Sequence, residues 1–140
     1  MVRKEFIEVV TGTGMATLKE LRRITMSKDE DAVSEFDLLD IPHFDENKFS
    51  KVISEKYGLT FIDLKNAKVS KETIKALKKK TVIKYRAIPI QITAAKATIA
   101  TFDPTVINAK AALGQDLKKP VEFILTNISS WKKLFESVED

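Results

Sequence analysis

The sequence predicts an α+β fold, with an N-terminal helical subdomain over residues 1–58 and a small three-stranded sheet with packed helices over residues 59–140. Three observations carry this. Caps and helical spacing dominate as far as Gly58. Beyond it, three short apolar segments alternate with period two, and capped helices are interleaved between those segments. At 140 residues, 44% apolar, with 4 Gly and 4 Pro, the chain has the make-up of a folded domain.

The elements follow in order. Thr17 caps a helix carrying Leu18, Leu21 and Ile24, with Glu20 at the capping-box position. Ser27-Lys28-Asp29-Glu30 is a second start signal; Val33, Phe36 and Leu39 then recur at spacing three, and Pro42 stops the run. Asp45 caps a helix through Phe49, Val52 and Ile53 that Gly58 ends. Leu59–Leu64 reads as a short extended segment. Ser70 opens a helix with Ile74 and Leu77, on which Lys71, Lys75, Lys78 and Lys79 form one ridge. Ile88, Ile90 and Ile92 mark a strand whose Pro89 prefers a site where a missing N–H is harmless. Thr93–Lys96 turns the chain into a second strand, Ala97–Phe102. Asp103-Pro104 starts a helix that runs to Leu113 and is closed by Gly114. Val121, Phe123 and Leu125 form the third strand, and Asn127 caps a last helix bearing Trp131, Leu134, Phe135 and Val138.

Charge divides the chain. Residues 1–63 hold 9 Lys/Arg against 13 Asp/Glu, and residues 64–140 hold 15 against 7. Nine basic residues between Lys65 and Arg86 meet only Glu72, which marks a surface for an anionic partner or a solvated face. No apolar run reaches the roughly 20 residues of a membrane-spanning helix, so no membrane insertion is expected. The N-terminus is too polar for a secretory signal.

Chemistry is sparse. Without cysteine and with one His, the chain offers no Cys nucleophile, no Cys-based zinc site and no histidine cluster. Val9–Thr17 has the outline of strand, glycine loop and helix. Ala16, however, stands where a phosphate loop needs Lys, and the spacing is short. His43 lies between Asp40 and Asp45, which read as caps, so it reads as structural. The expectation is a non-enzyme without cofactor or metal. The basic stretch has no interleaved aromatic before Tyr85, and the expectation is also against nucleic acid.

Ile53-Ser54-Glu55-Lys56-Tyr57-Gly58-Leu59-Thr60-Phe61-Ile62-Asp63-Leu64 resembles the A-E-x-L-G-L-P-F-V-D-L stretch of the N-terminal domain of type II secretion and type IV pilus assembly ATPases, the GspE/PilB/MshE N-terminal family. Tyr85-Arg86-Ala87-Ile88-Pro89-Ile90 is similar to its Y-x-V-x-P-L, and Ala97–Thr105 to its L-x-V-A-M-x-D-P-T. The resemblance covers roughly residues 34–138 and excludes the motor. It implies a cytoplasmic docking module, recruited to a membrane-bound complex, whose protein partner belongs to secretion or pilus machinery. Lys71, Lys75, Lys78 and Lys79 are the candidate contacts.

Some relatives bind cyclic di-GMP through two tandem motifs. Against the second, Leu38, Leu39, Phe49 and Ile53 take apolar positions, while Val33 replaces Arg, Glu35 and Pro42 replace Gly, and Lys56 replaces Gln. The first copy, near Gly14–Thr17 and Leu21, is fainter. Valine cannot read a phosphate as a guanidinium does, and Glu adds bulk and like charge where close approach is needed. The expectation is against cyclic di-GMP, the alternatives being a sensor of cyclic di-GMP or another nucleotide with a degenerate motif and, second, a basic nucleic-acid-binding module.

Overall fold

Val9 and Val10, with Phe6 before them, face the interior at helical rather than strand spacing. In the computed structural model, which describes residues 4–14, 16–17, 19–21, 33–41 and 43–137, they lie on helix α1 (Lys4–Thr13). The phosphate-loop outline is therefore not formed, because a helix and not a strand precedes the glycines. Phe6, Val9 and Val10 share one buried face, and the Thr11 and Thr13 hydroxyls donate to the carbonyls of Ile7 (3.0 Å) and Val10 (2.6 Å). Gly14 ends it at φ +74°. The Thr17–Glu20 capping box forms, the Thr17 N–H donating to Glu20 Oε1 (2.9 Å) and the Glu20 N–H to Thr17 Oγ1 (3.2 Å). Leu18, Ile24, the start signal at Ser27–Glu30, Pro42 and Val138 lie outside the described residues.

Val33, Phe36 and Leu39 recur at spacing three because Ser34–Asp40 is a 3₁₀ helix, η1, with three residues per turn. Helix α2 (Glu46–Tyr57) has the expected ends. Asp45 accepts from the N–H groups of Asn47 and Lys48, and Gly58 takes φ +69°. Two short helices follow, α3 (Lys71–Ile74) and α4 (Lys79–Tyr85).

Strands β1 (Ile88–Ile92), β2 (Ala97–Thr101) and β3 (Val121–Leu125) form one sheet in the order β1-β2-β3. The first pair is antiparallel with an irregularity between Pro89 and Gln91, so proline sits on an edge strand where the ladder is already broken. The second pair is parallel and needs a crossover, supplied by 3₁₀ helix η2 (Pro104–Ala109) and helix α5 (Lys110–Leu117). Asp103 caps η2 as expected, accepting from the Thr105 N–H at 2.9 Å. Gly114 does not close the helix. It lets the Lys119 carbonyl approach to 3.2 Å of where a Cβ would be, and Lys118, at φ +57°, makes the stop. Phe61 bridges Leu125 in parallel, tying the 59–64 segment to the sheet. Helix α6 (Ile128–Glu136) follows Asn127, whose Oδ1 accepts from the Ser130 N–H at 2.9 Å.

A chain of rings links the two ends of the sequence. Phe6 meets Phe49 and Phe102 edge-on at 6.1 and 5.7 Å; Phe102 meets Trp131 at 5.2 Å, and Trp131 stacks on Phe135 at 5.4 Å. Phe36 tilts against Trp131 and Phe135, and the Trp131 indole donates to the Ala100 carbonyl at 3.0 Å.

Candidate functional site

Lys71, Lys75, Lys78 and Lys79 are all exposed, but not on one helix. Helix α3 ends in a turn at Lys75, Lys78 is extended (φ −63°, ψ 146°), and α4 starts anew at Lys79. Burial explains the break. On a continuous helix Ile83 would point about half a turn away from Ile74, yet both residues are buried. Re-aiming α4 turns Val82 and Ile83 inward and spreads the lysines over two elements. Lys79 lies over the Phe135 ring at 5.8 Å and Lys84 over Tyr85 at 5.1 Å. Beside these cations a notch of about 270 Å³ is lined by Ala76, Leu77, Lys78, Thr81 and Asp116, which brings α5 to the lysine surface.

Arg86, counted in sequence with the basic stretch, is not part of that surface. It is 5% exposed, and its Nε and Nη2 donate to the Glu35 carboxylate at 2.6 and 2.9 Å, with Nη1 on the Ile83 carbonyl. Glu35 is fully buried. The sequence singled out Glu35 for the nucleotide motif but offered no sign of this pairing, which joins residues 51 apart.

The remaining motif positions separate by burial. Val33, Leu38, Phe49 and Ile53 are core residues, Leu39 is half-buried, and Pro42 lies outside the described residues. Lys56 is exposed, with its ammonium 5.8 Å from the Tyr57 ring. His43 is exposed and meets Glu20 Oε1 at 3.2 Å. The Thr17 N–H, first among several donors, holds the Glu20 carboxyl below its usual range.

Residues that sequence reasoning did not assemble form a polar cleft of about 490 Å³ where α2, the 59–66 segment and α6 meet. Asp63 Oδ1 accepts from the Lys65 N–H (3.0 Å), Asn127 Nδ2 (3.3 Å) and Ser130 Oγ (3.3 Å). Those donors, the Lys65 amide foremost, lower the Asp63 carboxyl from its ordinary value. Asn127 Nδ2 also donates to Asn47 at 2.9 Å, and Glu46 accepts from the Ser129 N–H at 3.2 Å. Asp63, Asn47, Asn127, Glu46, Ser129 and Ser130 are joined by these bonds across the cleft walls, so the cleft is a clasp between elements. Among the described residues no group of three or more His, Asp or Glu could hold a metal, and no helix is long and apolar enough to cross a membrane.

The architecture has solved counterparts. MshE, solved with cdg (cyclic di-GMP), superposes with a TM-score of 0.59 at 20% identity, over 98% of this chain and 100% of that one. The N-terminal domain of XpsE superposes with a TM-score of 0.60 at 14% identity, over 97% of each chain. A second crystal form of that domain gives 0.54, again at 14% and over 97% of each. At such identities the likeness is one of fold. No curated protein matches the chain. The MshEN domain matches residues 57–140, which is 84 of the 140 residues and includes every strand of the sheet. Since that match spans more than half of the sequence and falls where the resemblance was read, the chain belongs to the MshEN domain family.

Proposed function

We propose that this chain is a non-catalytic docking domain for a protein of secretion or type IV pilus machinery, with Lys71, Lys75, Lys78 and Lys79 as its charged contacts. The observation that carries the reading is the split lysine surface, exposed on two short helices and the turn between them in the matched module. The fold likeness to the N-terminal domain of XpsE supports it, because the resemblance implies that such domains precede a motor and join it to membrane-associated components. Association of this kind brings the chain to a membrane-bound complex without insertion of its own.

Cyclic di-GMP binding is a second reading, favoured by one observation: the fold likeness to MshE solved with that nucleotide. That likeness does not support the sequence-based expectation against cyclic di-GMP. Burial of Val33 and occupation of Glu35 by Arg86 favour docking, because neither side chain faces a ligand as it stands.

Two measurements separate the readings. Calorimetric titration with cyclic di-GMP gives no heat if the chain docks only through protein contacts, whereas micromolar binding makes it a sensor. Replacing Lys71 and Lys75 by Glu lowers capture of a partner identified by mass spectrometry and leaves the melting temperature nearly unchanged. Unchanged capture means that the lysines are a solvated face.

A further inference from the structure

We infer that the lysine surface receives an acidic, extended polypeptide segment and that the notch beside Lys78 takes an uncharged side chain from it; this rests on the docking reading. Between Lys65 and Lys84 stand eight lysines and one acid, Glu72, and all eight lysines are exposed. Such a field of one sign concentrates anionic partners and speeds their encounter. The notch gives the surface shape as well as charge. It is concave, has room for a side chain at about 270 Å³, and counts Thr81 and Asp116 among its lining residues. An Asp116 carboxylate at the notch disfavours a second acid there and offers an acceptor to a hydroxyl, so acids on either side of an uncharged, hydroxyl-bearing residue fit the pattern.

Nucleic acid and a bilayer fit less well. The one arginine of the stretch, Arg86, is buried on Glu35, which leaves no exposed guanidinium there to fork onto phosphate. Tyr85, the nearest ring, is half-buried beneath Lys84 and offers no stacking platform. The exposed large apolar side chains among the described residues are Val52, Ile62 and Ile107, all outside the lysine stretch, so nothing on this face inserts between lipids.

The test uses the full chain and a fluorescent peptide of alternating glutamate and serine. Duplex DNA and phosphatidylglycerol-containing vesicles are titrated at the same moderate ionic strength. The peptide should bind more tightly than either. The double variant Lys71→Glu/Lys75→Glu should weaken it roughly tenfold, as the reversal of two exposed contacts does. Ala76→Trp fills the notch without changing charge and should weaken it several-fold at an unchanged melting temperature. Tighter binding of DNA or vesicles overturns the acidic-polypeptide assignment, and so does a peptide affinity indifferent to the two reversals. Indifference to Ala76→Trp overturns the role of the notch. If the reversals abolish capture of the cellular partner but leave peptide binding untouched, the docking reading stands and the acidic class fails.

Discussion

A carboxylate and a guanidinium buried together are worth little as a pair and a great deal if separated. Glu35 is fully buried and Arg86 nearly so, and their two-pronged contact satisfies both charges. Glu35→Ala leaves a guanidinium buried without its counter-charge and is expected to cost about 3–5 kcal/mol in urea unfolding. The double replacement Glu35→Leu/Arg86→Met removes both charges and should cost much less than the two single changes summed. A strictly additive result would mean that the pair does not act as a unit. Arg86 holds this position at φ +52° as the left-handed C-cap of α4, its N–H donating to the Val82 carbonyl. Lys118 shares the conformation, at φ +57°, but is exposed. Lys118→Gly is therefore expected to raise stability by about 0.5–1 kcal/mol, since glycine enters that region at no steric cost. A loss on the same unfolding curve would show that the Lys118 side chain contributes more than its backbone costs. Neither residue was marked in the sequence as a left-handed position. Both are helix C-caps without the glycine that announces one, and the partner of Arg86 lies 51 residues away.

At the scale of elements, what could be read in advance was what is decided locally. Asp45 with Gly58, Asp103 with Pro104, Asn127, and the Thr17–Glu20 box all form as expected, because a cap and its helix lie within a few residues of each other. Elements set by distant packing were misread. The phosphate-loop outline at Val9–Thr17 would put a strand before the glycines, whereas Phe6 completes a helical face there against Phe49 and Phe102. The lysine helix was drawn as one because the need to bury both Ile74 and Ile83 arises only from the core. For the candidate surface, exposure of the four lysines was legible, since ammonium groups rarely bury, whereas the notch was not: Asp116 reaches it from another element. The cleft at Asp63 is likewise a product of assembly and has its own pH dependence. Its donors hold the Asp63 pKa below the unfolded value of about 3.9, so its contribution is fully present above that value. It is lost as pH falls through the lower folded value. An NMR titration should find the Asp63 carboxyl midpoint below the ordinary range, with the Asn127 side-chain amide shifting in step. A normal midpoint would mean that the clasp does not hold the charged form. Asp63→Asn should abolish the step.

Over the whole molecule, charge divides where packing does not. Acidic residues prevail through residue 63 and basic ones after it, yet the apolar core takes Phe6, Leu38, Phe49 and Ile53 from the first part and Ile99, Phe102, Trp131 and Leu134 from the second. The two subdomains read from the sequence are thus proposed to share one core, with the opposed charge of their surfaces adding attraction. Cutting the chain after Gly58 tests this. Residues 59–140 alone keep the sheet and its crossover, but they expose the Phe102 and Trp131 rings that Phe6 and Phe36 cover. They also strand Arg86 without Glu35. Each loss amounts to a few kcal/mol, and a shortfall of that size should lower the melting temperature by about 10 °C or more relative to the intact chain. Adding the 1–58 fragment in excess should restore much of the difference, because the aromatic faces and the carboxylate return together. If residues 59–140 melt where the intact chain does, the helical part is a passenger on an independent module. The Glu35–Arg86 contact would then contribute to its placement but not to the stability of the sheet.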